Sequence, residues 1–115
     1  MIKGWFYFMD IKQVVDIIYN GLVSENSIPI NLSTNKKLDL DMLHEVRKAF
    51  DFAIDYYKDK SLVPKKLAIA LVDIYGAFSF KSGYFDDAML IELEDIGIEL
   101  QEKALQLFSD STMQN

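Results

Sequence analysis

A chain of 115 residues, half of them hydrophobic and 13% aromatic, carries enough apolar surface for one core, so a single helical domain over residues 1–115 is predicted, with 109–115 as a fraying polar tail. Without cysteine it has no disulfide, thiolate metal ligand or thiol nucleophile, which fits the cytoplasm. A net charge of −6 argues against nucleic acid or an anionic membrane as partner, since phosphate is bound by Lys and Arg, and no stretch reaches the roughly 18 uncharged apolar residues that span a bilayer.

The aromatic run Trp5, Phe6, Tyr7, Phe8, Met9 is stopped by Asp10, short of the roughly 7–15 apolar residues of an export signal. It is too brief for periodicity to separate helix from strand. Ile11, Val14, Val15, Ile18 and Leu22 then follow helical spacing behind Asp10 as cap, and Gly21 weakens the end of that helix. Residues 24–38, with Ser, Asn, Pro29 and Lys36-Lys37, read as a long connection that allows a short extended segment near 28–32.

Asp39 or Asp41 opens a second helix, with Leu43, Val46, Phe50, Ala53, Ile54 and Tyr57 as its core stripe up to about Lys60. A third is predicted from Ser61 as N-cap and Pro64 in the first turn through Leu67, Leu71, Ile74 and Phe78. Its apolar character on most sides predicts the most buried element. The break at Lys81-Ser82-Gly83 precedes a fourth helix from near Asp86, whose seam is Met89, Leu93, Ile96, Leu100, Ala104 and Leu107. Gly97 beside that seam predicts close approach of a neighbouring helix. The fold class is therefore all-α, a four-helix bundle.

Catalytic signatures are missing. The one histidine, His44, lies near a helix start with no marked nucleophile, and reads as a surface residue. Di-iron bundles need two Glu-x-x-His pairs, and no glycine loop for phosphate is present. Asp39 and Asp41 with Asn35 lack the glycine and terminal glutamate of a calcium loop, so capping accounts for them. The expectation is a protein that is not an enzyme, with no catalytic residue, no metal and no cofactor.

What remains is placed charge. Residues 81–115 hold eight acids against two bases, whereas residues 1–80 hold ten of each sign. Glu92, Asp95, Glu99 and Glu102 recur at i, i+3, i+7, i+10 and form one ridge on the fourth helix. Asp51, Asp55 and Asp59 form a second line on the helix before, with Tyr56 expected to be partly exposed among them. A tyrosine flanked by carboxylates makes a binding anchor for a basic partner; an ordinary solvated face and an aromatic at the core boundary are the plainer readings.

Asp55-Tyr56-Tyr57 resembles the tyrosine pair near acidic residues in the immunity proteins that bacteria use against their own secreted nuclease toxins, of the colicin-nuclease kind, although the family's proline does not follow the pair here. In its small size, acidity and helical content the chain is also similar to immunity proteins of contact-dependent toxin systems. The resemblance implies a non-catalytic, bacterial, cytoplasmic protein that binds and neutralises a basic toxin domain, with Tyr56 and Tyr57 at the contact. Two other readings are a homodimeric structural or regulatory module joined through the apolar seam of the fourth helix or the aromatic N-terminus, and an acidic mimic of DNA that inhibits a nucleic-acid enzyme.

Overall fold

Asp10 and Gln13 close a capping box: the Asp10 carboxylate accepts the Gln13 N–H at 2.8 Å and Gln13 Oε1 accepts the Asp10 N–H at 2.9 Å. From there helix α1 runs over Ile11–Leu22 and buries Val14, Val15, Ile18 and Leu22 of the predicted stripe, with Ile11 partly buried. The structure is a computed structural model and describes residues 10–109. The aromatic run at 5–9 and residues 110–115 of the tail lie outside the described residues.

Five further helices follow, α2 over Ile28–Asn35, α3 over Leu40–Tyr57, α4 over Lys65–Leu71, α5 over Ile74–Ala77 and α6 over Asp87–Phe108. An isolated bridge between Ser82 and Phe85 is the one β-type pairing among the described residues. The described residues are all-α as expected, but six helices among them take the place of four.

The first correction is α2, which occupies the segment read as a connection with an extended stretch near 28–32. Ser27 is fully buried and its Oγ accepts the Ile30 N–H, so Ser27 is an N-cap and Pro29 sits in the first turn. A proline there loses no helical hydrogen bond, and the extended preference it imposes on its predecessor yields to the cap. Lys36 ends the helix in the left-handed region, at φ 53°.

The second correction is the predicted third helix. Asp73 accepts the Gly76 N–H at 2.9 Å and starts α5 afresh, which divides the apolar run into two short helices. Pro64, not Ser61, stands at the N-cap of α4, without a side-chain cap bond. This region is not the most buried element. Ile69 and Val72 are 60% and 77% exposed, because a single short helix cannot turn all its sides to one core.

The middle of the fold is α3, which buries Leu43, Val46, Ala49, Phe50, Ala53 and Tyr57. It is packed by α1 on one side and α6 on the other, with α4 on α1 and α5 on α6, so the helices lie in the order α4, α1, α3, α6, α5. Asp39 and Asp86 cap α3 and α6 by accepting the Met42 and Met89 N–H groups. Of the predicted seam, Leu93, Ile96, Leu100, Ala104 and Leu107 are buried and Met89 is partly buried, each buried large aliphatic worth about 1.5–3 kcal/mol. It is therefore committed to the protein's own core and offers no dimer surface.

Gly97 meets its expectation. A Cβ built on it would lie 3.0 Å from Phe78 Cβ and 3.4 Å from the Tyr75 carbonyl oxygen, so α5 and the residue after it ride directly on the α6 backbone. Gly21, read as a weak helix end, is instead a buried contact where any Cβ would collide with Val46 of α3. No helix among the described residues is long and apolar enough to cross a membrane.

Candidate protein-binding surface

Two ion pairs fix how α3 and α6 lie against each other. Arg47 reaches Glu99 and Lys103 reaches Asp51 at 2.7 Å, so a step of four residues on one helix matches a step of four on the other. The helices run parallel. This register brings Asp51 and Asp55 of the first predicted acidic line and Glu92, Asp95, Glu99 and Glu102 of the second to the two sides of one α3–α6 edge, whereas Asp59 lies past the end of α3, in the turn after Tyr57.

Part of that acidity is neutralised within the molecule. Glu99 receives both Nε and Nη2 of Arg47, a planar fork that also holds the guanidinium above its ordinary pKa, through the hydrogen bond first and the Glu99 charge besides, against partial burial. Asp51 is taken by Lys103 and Asp55 by Lys58 at 3.1 Å, whose ammonium is shifted up by that hydrogen bond and by the charges of Asp55 and Asp59. Glu92, Asp95, Glu102 and Asp59 are exposed and make no ion pair with a described residue. Glu92 to Glu102 spans about 15 Å of helix.

Tyr56 departs from its expected setting. It is 38% exposed, but on the flank of α3 turned away from Asp51 and Asp55. Lys60 covers its ring at 4.1 Å and Tyr57 packs edge-on at 4.9 Å. It is a tyrosine beneath a lysine, not one ringed by acids. Tyr57 is buried, and burial, with Tyr56 beside it, raises its hydroxyl pKa. His44 is exposed. Asp39 and Asp41 line shallow depressions beside the α2–α3 turn, where Asp39 is engaged as a cap. No group of three or more His, Asp or Glu among the described residues is placed to hold a metal ion.

A second surface feature of α6 escaped the sequence reading. Ile91, Ile98 and Leu105 stand outward, 61%, 42% and 62% exposed, at intervals of seven residues. Such intervals drift only about 20° per two turns, so the three form one stripe. Asp95 and Glu102 lie along one border of it, Glu94 and Gln101 along the other. The second border is tied to α5: Gln101 Oε1 accepts the N–H groups of Ile74 and Tyr75 at 3.1 Å each, and the Tyr75 hydroxyl donates to Glu94 at 2.9 Å. The heptad recurrence was visible in the sequence beside the stronger buried seam, and only burial separates the two.

No protein-family model matches this chain, and neither the curated proteins nor the solved structures contain a significant match to it.

Proposed function

We propose that this chain is a non-catalytic acidic binding protein that receives a basic protein domain along the α3–α6 edge, in the manner of the bacterial immunity proteins it resembles, which act in the cytoplasm where their toxin is made. The observation that supports the reading is the exposed set Glu92, Asp95 and Glu102, which makes no ion pair with a described residue while Arg47, Lys58 and Lys103 are engaged by neighbouring acids. Unpaired carboxylates at one edge repel each other and are relieved by an incoming basic surface, and such complementarity raises association rates above the roughly 10⁵–10⁶ M⁻¹s⁻¹ of uncharged pairs. That suits an inhibitor which has to capture its toxin before damage is done.

The partner to test is the basic C-terminal domain of whatever large secreted protein is encoded immediately upstream. Stopped-flow mixing should give a rate that falls steeply with salt, and the charge reversal E92K/D95K/E102K should slow capture at least tenfold and flatten the salt dependence. Glu99 is left in place because its reversal would set a lysine against Arg47. Capture that is indifferent to salt and to the triple reversal, or an upstream gene without a basic domain, overturns the proposal.

A further inference from the structure

We propose that the outward stripe Ile91, Ile98, Leu105 on α6 is a docking groove for one basic amphipathic helix of the partner. The inference rests on the acidic-edge reading and adds to it the shape of the occupant. The stripe spreads its three aliphatic side chains over about 21 Å, the length of a 14-residue helix, with acids and Gln101 between them on the borders. It stands fully outside the core, which is already closed by the seam on the opposite side of α6. Three large aliphatic side chains in line, each more than two-fifths exposed, are costly to leave in water and form the i, i+7, i+14 half of a helix-in-groove interface.

Charge selects the occupant. Asp95 and Glu102 border the stripe one turn to either side of Ile98 and have no ion pair among the described residues, so a helix laid on Ile98 brings its own flank within reach of both carboxylates. Lys or Arg on that flank complete the contact. A second copy of this chain is disfavoured in either direction: antiparallel α6 helices would set Asp95 and Glu102 against the same pair, and parallel ones would set them against Glu94, all within a chain of net charge −6. The far border is firm, because Tyr75 is held by Glu94 and its backbone N–H by Gln101, so α5 forms a wall to the groove.

The test uses the full chain and two 18-residue leucine–lysine peptides of one composition, the first with leucines at i, i+3, i+4, i+7 spacing and the second shuffled so that no apolar face forms. Fluorescence anisotropy should show the amphipathic peptide binding at least tenfold more tightly than the shuffled one. I91S/I98S/L105S should abolish that margin while helix content is kept; if the triple variant loses helix, I98S alone is compared and should narrow the margin severalfold. D95K/E102K should weaken both peptides. Equal binding of the two peptides overturns the groove and leaves the acidic-edge reading standing; failure of both peptides to bind at low salt overturns the two together. A margin that survives the serine substitutions, or a dimer in sedimentation that those substitutions dissolve, also overturns the groove, the second outcome assigning the stripe to another copy.

Discussion

Arg47 on α3 and Glu99 on α6 are joined by two hydrogen bonds, Nε to Oε2 at 2.8 Å and Nη2 to Oε1 at 2.7 Å, across 52 residues of sequence. Both side chains are more than a third exposed, so screening by solvent limits the pair. A planar fork between two helices nevertheless loses less side-chain entropy than a flexible lysine pair. A double-mutant cycle of R47M and E99Q, read by urea unfolding, should give a coupling of about 0.5–1 kcal/mol that shrinks in high salt. Coupling indistinguishable from zero would mean that the register of α3 on α6 is set by the apolar seam alone. R47M should also speed capture of a basic partner, since it removes a cation from the acidic edge.

Gly97 and Gly21 make opposite demands on sequence intuition. Alanine favours a helix over glycine by roughly 0.5–1 kcal/mol, so both G97A and G21A gain in propensity. At Gly97 the new methyl meets Phe78 Cβ, itself fully buried, and the Tyr75 carbonyl, neither of which is a flexible end. At Gly21 it meets the Val46 side chain, also fully buried and held between α1 and α3. Overpacking of about 1–3 kcal/mol therefore wins at each, and thermal unfolding should show both variants destabilised, G21A more than G97A. A rise in Tm for either would show that the helices can part at no penalty.

The starts of three helices, two core stripes and the buried seam of α6 were legible because each follows from local rules: Asp10, Asp39 (read as Asp39 or Asp41) and Asp86 accept the N–H three residues on, and the stripes repeat with the turn of the helix. What could not be read depends on competition between local rules or on distance. Ser27 and Pro29 signal a helix start as well as a turn, and the cap decided for the helix. Asp73 lies within the apolar run that spacing reads as one helix, yet its bond to Gly76 N makes it a new start. The acidic lines were visible as lines; their meeting at one edge was not, since it depends on Arg47 and Lys103 finding carboxylates on another helix. Tyr56 is partly exposed as expected, but proximity in sequence to Asp55 says nothing of Lys60, which covers its ring.

Gln101 gives a further case of a side chain acting at long range. Its Oε1 supplements the Asp73 cap of α5, taking the Ile74 and Tyr75 N–H groups from 27 and 26 residues away. A helix of four residues has little to hold it besides such bonds and the burial of Ile74. Q101L should cost about 1–3 kcal/mol by leaving donors unpartnered, and hydrogen exchange at the Tyr75 amide should quicken. Q101E keeps an acceptor and adds a negative charge at a helix start, so it should retain most of the stability. If Q101L proves neutral, packing of Phe78 on Gly97 suffices to place α5.

Alkaline pH provides a separate probe of the α5–α6 contact. The Tyr75 hydroxyl pKa is raised chiefly by its hydrogen bond to Glu94 and further by that carboxylate's charge, and the Tyr57 hydroxyl is raised by burial. In each case the folded state favours the protonated phenol. The stabilisation is fully present below the unfolded tyrosine value of about 10 and is lost as pH rises through the higher folded value. Unfolding temperature should thus be insensitive to both groups at neutral pH and fall in the strongly alkaline range. Y75F, which cannot ionise, should show a shallower fall than the parent while differing little from it at pH 7, because the hydroxyl it lacks lies at the surface. Ultraviolet titration should show Tyr57 and Tyr75 ionising above the usual tyrosine range, with one of the two late steps missing in Y75F. Superimposable titration curves for the parent and Y75F would show that the Tyr75–Glu94 bond does not persist in solution, and the wall of the α6 groove would then be free to move.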